Sequence, residues 1–224
     1  MDIKKILSAT DHTLLRPTAT WSQIETLLDE GIRFGCASCC IPPSYVQEAV
    51  SFVQGELAVC TVVGFPNGYD TSGSKLFQTE DALESGADEI DMVINLGWVK
   101  DGLWDFVEDE ISQIRDLCED VILKVIVETC ELTESEKIHL CRIVTDTGAD
   151  FIKTSTGFAS GGATAADIRL MKEHVGPKVG IKASGGIRTL EEAEELMRLG
   201  ATRLGASSLV NLARQYLSRD ESVE

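Results

Sequence analysis

Short apolar runs alternate with longer amphipathic segments along the whole chain. Between the runs, apolar positions recur every three or four residues, as at Val107, Ile111 and Ile114, which is typical of a helix with one buried face. Strands that alternate with helices predict a parallel sheet covered by helices. The runs with the clearest strand character are residues 57–63, 123–127 and 179–182.

A repeated sequence pattern indicates how many βα units the chain contains. A helix-like segment ends in glycine and a strand-like run follows at once, at Gly31, Gly86, Gly148 and Gly200. Glycine suits the left-handed residue that ends many helices. The repeats are about two βα units apart, given that one βαβ crossover takes roughly 30 residues.

With a short first strand near residues 9–13, these runs predict eight strands in 224 residues. We therefore expect an α/β fold with a single domain over residues 1–224, closed as a (β/α)8 TIM barrel. An open, doubly wound sheet is the alternative. No stretch rich in Pro, Gly or Ser interrupts the pattern as a linker would.

Charge narrows the range of partners. The net charge of −17 disfavours nucleic acid and anionic membranes. No apolar run reaches the roughly 18 residues of a membrane-spanning helix, and the N-terminus lacks the features of a signal peptide. We therefore expect a cytoplasmic protein with small-molecule substrates. A phosphorylated substrate would need a local site of backbone N–H groups or a few cations.

The seven cysteines are an odd number, which argues against a secreted disulfide scaffold. Cys36 and Cys39 have the CxxC spacing that also occurs in zinc and redox sites. We instead predict that residues 34–41 form a buried strand, on which residues three apart point to opposite faces. The three histidines lack metal-ligand spacing, so we expect no metal site.

Charged side chains share one face of several predicted strands, although the inside of a barrel is normally filled by branched apolar residues. The opposite faces are apolar and suit contact with helices. We therefore expect the charged faces to point into the barrel, with the active site at the carboxyl ends of the strands. The residues concerned are Asp91, Lys124, Glu128, Lys153 and Lys182 on the inner face, and Ile90, Met92, Val125, Ile152 and Ile181 on the outer face.

Lys153 and Lys182 indicate amine chemistry. A lysine is nucleophilic only when neutral, and a second ammonium nearby, together with burial, lowers its pKa from about 10.4. A neutral amine forms a Schiff base with a carbonyl, which then serves as the electron sink for carbon–carbon bond cleavage. Asp91 is the candidate for proton transfer. An inert buried ion-pair network is the alternative, and this reasoning leaves open which lysine is the nucleophile.

Two loops have the composition of a phosphate site. Gly185 and Gly186 follow the strand of Lys182, and Gly205 and Ser207 belong to the last strand and its loop. Barrels frequently bind phosphate with the loops after strands seven and eight. Arg188 lies beside the first loop and could add positive charge.

Seven motifs resemble the deoxyribose-phosphate aldolase family, from the first predicted strand to the last. They are DHTLLRP (11–17), VCTVVGFP (59–66), EIDMVIN (89–95), KVIVET (124–129), FIKTSTG (151–157), GIKASGGI (180–187) and LGASS (204–208). The resemblance implies reversible cleavage of 2-deoxy-D-ribose 5-phosphate to D-glyceraldehyde 3-phosphate and acetaldehyde, without a cofactor. It also implies a homo-oligomer, either a dimer or a tetramer.

The resemblance divides the roles. Lys153 is then the Schiff-base lysine, Lys182 perturbs it and helps to move protons, and Asp91 takes part in proton transfer. The residues we expect to contact the substrate are Asp11, Cys40, Thr154, Gly157, Gly185, Gly186, Gly205 and Ser207.

The chain departs from some family members at two places. Some end in a tyrosine that reaches the active site, whereas this chain ends in residues 220–224 (DESVE), with Tyr216 upstream. Some carry a lysine where this chain has Phe158. The alternative functions are another imine-forming sugar-phosphate lyase, and a barrel that binds sugar phosphates without catalysis.

Overall fold

Eight parallel strands form a closed barrel in the computed structural model, which describes residues 1–220. Each strand pairs with the next along the chain, and the last pairs with the first. The TIM-barrel prediction is therefore confirmed. The strands are β1 (Thr10–Thr13), β2 (Ser38–Ile41), β3 (Ala58–Val63), β4 (Glu89–Val93), β5 (Ile122–Ile126), β6 (Phe151–Lys153), β7 (Gly180–Ser184) and β8 (Arg203–Ala206).

Helices surround the barrel, and threonine caps begin several of them. The side chains of Thr71, Thr133, Thr164 and Thr189 each accept a hydrogen bond from a backbone N–H of the first turn. The helices are α1 (Ile3–Ser8), α2 (Trp21–Phe34), α3 (Val46–Val53), α4 (Ser72–Glu84), α5 (Leu96–Lys100), α6 (Trp104–Leu117), α7 (Glu134–Asp146), α8 (Ala165–His174), α9 (Leu190–Leu199) and α10 (Leu209–Asp220). Short 3-10 turns cover Pro43–Tyr45 and Thr129–Glu131.

The hydrophobic core lies between the barrel and its helices. The apolar strand residues predicted to face outward are all buried in one cluster with helix residues such as Ile111 and Ile114 of α6. The strand faces are therefore those predicted, because alternation along a strand fixes which side chains share a face. The charged residues predicted on the inner face lie inside the barrel, except Glu128, which lies beyond the end of β5 and bonds Thr156 instead.

One predicted helix end is wrong. Gly31 does not end α2; it lies inside the helix, which ends at Gly35 with a φ of 62°. A Cβ atom on Gly31 would lie 2.6 Å from Cys39 Sγ, so glycine is needed here for close packing of the helix on β2. The predicted strand over residues 34–41 is correspondingly too long, since β2 begins at Ser38. The other three glycines follow their helices with positive φ, as predicted.

Strand register brings the charged residues side by side. Asp91 on β4 is paired with Lys124 on β5, Lys153 on β6 with Lys182 on β7, and Lys182 in turn with Arg203 on β8. Among the described residues, no helix is both long and apolar enough to cross a membrane. The departure from some family members at residues 220–224 falls, apart from Asp220, outside the described residues.

Candidate active site

Seven charged side chains meet inside the barrel and form what we term the interior charge cluster. They lie on the inner faces of β1, β4, β5, β6, β7 and β8, and almost all are completely buried. Three are carboxylates and four are cations. The members are Asp11, Glu89, Asp91, Lys124, Lys153, Lys182 and Arg203.

Asp91 lies at the centre of this cluster. Its Oδ2 accepts hydrogen bonds from the Nζ atoms of Lys153, at 2.7 Å, and Lys182, at 2.6 Å. Its Oδ1 accepts from Lys124 Nζ at 2.7 Å. Burial by itself would raise the pKa of Asp91, but the three ammonium groups outweigh it and hold this pKa well below its usual range. The carboxylate is thus ionised and shared by the two predicted catalytic lysines.

Lys182 is held as a cation between two carboxylates. Its Nζ lies 2.6 Å from Asp91 Oδ2 and 2.5 Å from Asp11 Oδ2. Arg203 holds the other oxygen of Asp11 at 2.6 Å and so fixes the orientation of that carboxylate. Burial disfavours the Lys182 ammonium, but the charges of Asp11 and Asp91 prevail and raise the pKa of Lys182.

Lys124 lies deeper in the barrel. Its Nζ is 2.7 Å from both Glu89 Oε2 and Asp91 Oδ1, 3.6 Å from Asp11 Oδ2 and 3.3 Å from Cys60 Sγ. Burial opposes the charge of Lys124, but the carboxylates raise its pKa well above the ordinary value. Its inward direction was predicted from strand alternation, but no role was assigned to it. Glu89 and Arg203 were not proposed either, although a charged residue inside a strand was the signal that could have identified both.

The spacing of buried donors would also suit a metal ion. Cys40, Cys60 and Asp91 form one such group, and Asp11, Cys60 and Glu89 form another. The ammonium of Lys124 contacts members of both groups. All of these donors except Cys40 thus already lie against a cation that belongs to the chain.

Lys153 is the one lysine of the cluster that reaches an open cleft. Within the described residues it has a single carboxylate partner, Asp91, whereas Lys182 has two and Lys124 has three. The cleft has a volume of about 240 Å³ and opens at the carboxyl ends of the strands. Lys153 thus forms the boundary between the buried charges and the space a substrate would occupy.

Glycine loops form one wall of the cleft. Gly157, Gly185, Gly186, Gly205 and Ser207 all line it, as does Ser184 at the end of β7. Within residues 1–220, the N–H groups of Gly157, Gly185, Gly186 and Ser207 have no hydrogen-bond partner. Gly185 and Gly186 have φ values of 78° and 77°, which L side chains rarely adopt. Unpaired N–H groups around a concave surface are suited to bind an oxyanion.

Three residues that we expected to contact the substrate do not line the cleft. Asp11 and Cys40 are fully buried inside the barrel, and Asp11 there holds Lys182. The hydroxyl of Thr154 accepts a hydrogen bond from Ser184 N at 3.1 Å and links the ends of β6 and β7. The structure therefore places these three beneath the cleft.

Apolar residues also line the cleft. They are Leu14, Leu15 and Phe158. Phe158 packs edge-on against Phe65, with ring centroids 5.3 Å apart, and half of its surface is exposed. An aromatic ring thus stands where some family members carry a lysine, and an anion in the cleft would meet the N–H groups of the glycine loops and Arg16.

The sequence matches the pattern of the DeoC/LacD family aldolases over residues 5–213. Similar proteins include the deoxyribose-phosphate aldolase of Streptococcus pyogenes serotype M4, which is 55% identical over 222 residues, covering 99% of this chain and 100% of the relative. Among solved structures, a putative deoxyribose-phosphate aldolase from Coccidioides immitis is 38% identical with a TM-score of 0.93, covering 96% of this chain and 87% of that one. The deoxyribose phosphate aldolase from Aeropyrum pernix, described as a tetramer, is 29% identical with a TM-score of 0.90, covering 97% and 93%.

Proposed function

The chain belongs to the DeoC/LacD family of aldolases, and we propose that it uses Lys153 as its Schiff-base residue. It is a carbon–carbon lyase with deoxyribose-phosphate aldolase activity. The substrate we propose is 2-deoxy-D-ribose 5-phosphate, cleaved reversibly to D-glyceraldehyde 3-phosphate and acetaldehyde. The observation that carries the assignment of Lys153 is its position between the interior charge cluster and the cleft.

The count of charges favours Lys153 as the nucleophile. The interior charge cluster holds four cations against three carboxylates. Lys153 has a single carboxylate partner, whereas Lys182 has two and Lys124 has three, so a neutral Lys153 would break the fewest ion pairs of the cluster. Lys182 is held as an ammonium beside it and repels a second positive charge. These observations support the prediction that Lys182 keeps Lys153 available as a neutral amine.

The chemistry then proceeds from the open-chain sugar. The neutral amine of Lys153 attacks the C1 aldehyde, and loss of water gives a protonated imine. Removal of the proton from the C3 hydroxyl breaks the C2–C3 bond, and the electron pair moves onto the imine to give an enamine. Protonation of the enamine at C2, followed by hydrolysis, releases acetaldehyde. We propose that the Asp91 and Lys182 pair, which contacts Lys153 through Asp91 Oδ2, accepts and returns these protons.

The phosphate end of the substrate has a suitable site at the glycine loops. Four unpaired N–H groups there can bind an oxyanion without a lysine at position 158. They also provide attraction for an anion in a chain whose net charge is −17. We infer that Gly157, Gly185, Gly186, Gly205 and Ser207 surround the phosphate.

We also infer a homo-oligomer that acts in the cytoplasm. The related Aeropyrum pernix aldolase is described as a tetramer. The large apolar side chains of Tyr69, Phe77 and Phe106 are more than half exposed, as is common at contacts between subunits. All seven cysteines are free thiols, as expected in a reducing compartment.

Reductive trapping tests the assignment of the nucleophile. Borohydride added with acetaldehyde or with deoxyribose 5-phosphate should attach a stable adduct to the peptide that contains Lys153. The adduct should be lost in Lys153→Met and should still map to Lys153 in Lys182→Met, at a lower rate. An adduct that maps only to Lys182, or none at all, would overturn the assignment. Comparison of cleavage rates for other sugar phosphates separates this function from that of another imine-forming lyase.

A further inference from the structure

Glu128 is a buried carboxylate that the proposed mechanism does not use. It lies two residues beyond the end of β5 and is buried, and its neighbour Val127 donates a hydrogen bond to the strand that carries Lys153. Its φ of 55° places it in the left-handed region, which is costly for a residue other than glycine. Residues held in such conformations tend to cluster at functional sites, where the surrounding structure maintains them.

The carboxylate of Glu128 binds one residue of the cleft twice. It accepts a hydrogen bond from Thr156 N, at 3.2 Å to Oε2, and a second from the Thr156 hydroxyl, at 2.5 Å to the same oxygen. The Thr156 hydroxyl in turn accepts a bond from Phe158 N at 3.0 Å. This chain of contacts fixes the turn formed by residues 156–158. Burial raises the pKa of Glu128 in spite of the bonds from Thr156.

The turn that Glu128 holds belongs to the wall of the cleft. Thr156, Gly157 and Phe158 all line it. Gly157 also lies against the other glycine loop, since a Cβ atom on Gly185 would be 3.4 Å from Gly157 Cα. The direction of the Gly157 N–H therefore depends on a turn whose main anchor is Glu128.

Lys153 itself is anchored by other contacts. Its carbonyl accepts a hydrogen bond from Val127 N at 3.0 Å, and Thr154 N donates to Lys182 O at 3.1 Å. These bonds between strands do not involve the carboxylate of Glu128. Loss of that carboxylate should thus loosen the turn and leave the lysine in place.

We propose that Glu128 is a positioning residue that holds residues 156–158 in the conformation that binds the phosphate end of the substrate. This inference rests on the proposed function. It explains why a glutamate occupies a left-handed position at the mouth of the barrel, where glycine would fit without strain. Glu128 acts through Thr156 and does not touch the reacting atoms.

Kinetics of Glu128→Ala with two substrates provide the test. We expect KM for deoxyribose 5-phosphate to rise about tenfold or more, the loss expected for hydrogen bonds to a charged group. The value of kcat/KM for unphosphorylated 2-deoxyribose should change less than threefold, because that sugar makes no use of the phosphate site. Thr156→Val should reproduce the effect, and the double variant should be no worse than either single variant, since the two residues act as a unit.

Three controls separate this role from a structural one. Glu131→Ala removes an equal charge from the same turn without a contact to Thr156, and its KM should stay within twofold of the parent. Glu128→Gly relieves the left-handed strain, so it should fold at least as well as Glu128→Ala and yet show the same rise in KM. Glu128→Gln keeps one acceptor oxygen and should restore part of the affinity.

The outcomes distinguish this inference from the proposed function. If borohydride traps acetaldehyde on Lys153 equally in the parent and in Glu128→Ala, but the two substrates lose activity in the same proportion, the positioning role is wrong and the nucleophile stands. If borohydride traps no adduct on Lys153 of the parent enzyme, the assignment of Lys153 in the proposed function is itself wrong. An unchanged KM in a folded Glu128→Ala would also overturn the inference.

Discussion

Lys153 and Lys182 contact the same oxygen atom, Asp91 Oδ2, at 2.7 and 2.6 Å. The two amines are therefore neighbours across one carboxylate, and their difference lies in their other contacts. Lys182 has a second carboxylate, Asp11, whereas Lys153 borders the cleft. This asymmetry within a pair of identical side chains underlies the roles proposed for them.

Removal of the second lysine should reduce catalysis strongly, in addition to the stability lost with its two buried ion pairs. In Lys182→Met the cluster would keep three cations against three carboxylates, and Asp91 would lose one of the two ammonium groups that share its Oδ2. We expect kcat/KM for deoxyribose 5-phosphate to fall by about 10²–10⁴, the range for loss of a general acid–base group. Lys178→Met, at an exposed position before β7, is the matched control. Parent-like activity in Lys182→Met would contradict this role.

Lys124 should matter mainly for folding. Its removal in Lys124→Met leaves Glu89 and one oxygen of Asp91 buried without their nearest cation. Breaking a buried pair in this way costs about 3–5 kcal/mol. We expect urea denaturation to show such a loss, with a smaller one for Lys153→Met because Lys153 has one partner only. Equal losses of stability in the two variants would contradict the larger structural role of Lys124.

Acid should destabilise the fold through the interior carboxylates. Burial opposes the low pKa of Asp11 and Asp91, but the surrounding lysines hold both pKa values below those of the unfolded chain. The unfolded state then takes up protons first, so stability is fully present above about pH 4 and falls below it, by about 1.4 kcal/mol per pH unit for each such carboxylate. Urea midpoints at pH 7, 5, 4 and 3 measure the slope. A stability that stays flat down to pH 3 would contradict the ionised state of these groups.

Gly205 should be required for the position of Lys182. A Cβ atom on Gly205 would lie 3.0 Å from Lys182 Cε and 2.9 Å from Ser184 Cβ. We expect Gly205→Ala to displace the ammonium and to lower kcat by about tenfold or more, since small misplacements of catalytic groups are costly. Gly73→Ala is the control, because a Cβ atom there meets no neighbour in α4 and should leave kcat unchanged. Steady-state kinetics of the two variants at equal concentration provide the comparison.

Activity should not depend on a divalent metal. The buried donors Cys60, Glu89 and Asp91 already contact the ammonium of Lys124. We expect the parent enzyme to retain its full rate after extended treatment with a chelator. A loss of activity that added Zn²⁺ or Mg²⁺ restores would instead indicate a metal-dependent lyase.

The sequence by itself determined the barrel and the inner face of its strands. Strand alternation and helix periodicity are local properties, so they correctly placed Asp91, Lys124, Lys153 and Lys182 inside the barrel. Local rules were less reliable at element boundaries. Gly31 precedes a strand-like run, as a helix-ending glycine would, yet it lies inside α2. A glycine is needed there because Cys39 of the neighbouring strand packs closely against the helix.

Only the tertiary structure determined which charged side chains pair with one another. Asp11, Arg203 and Lys182 are far apart in the chain, and strand closure between β8 and β1 brings them together. The charge of each lysine depends on those neighbours and on burial, and neither can be read from spacing along the chain. The sequence thus indicated a pair of lysines, and the closed barrel placed one of them between two carboxylates and the other at the cleft.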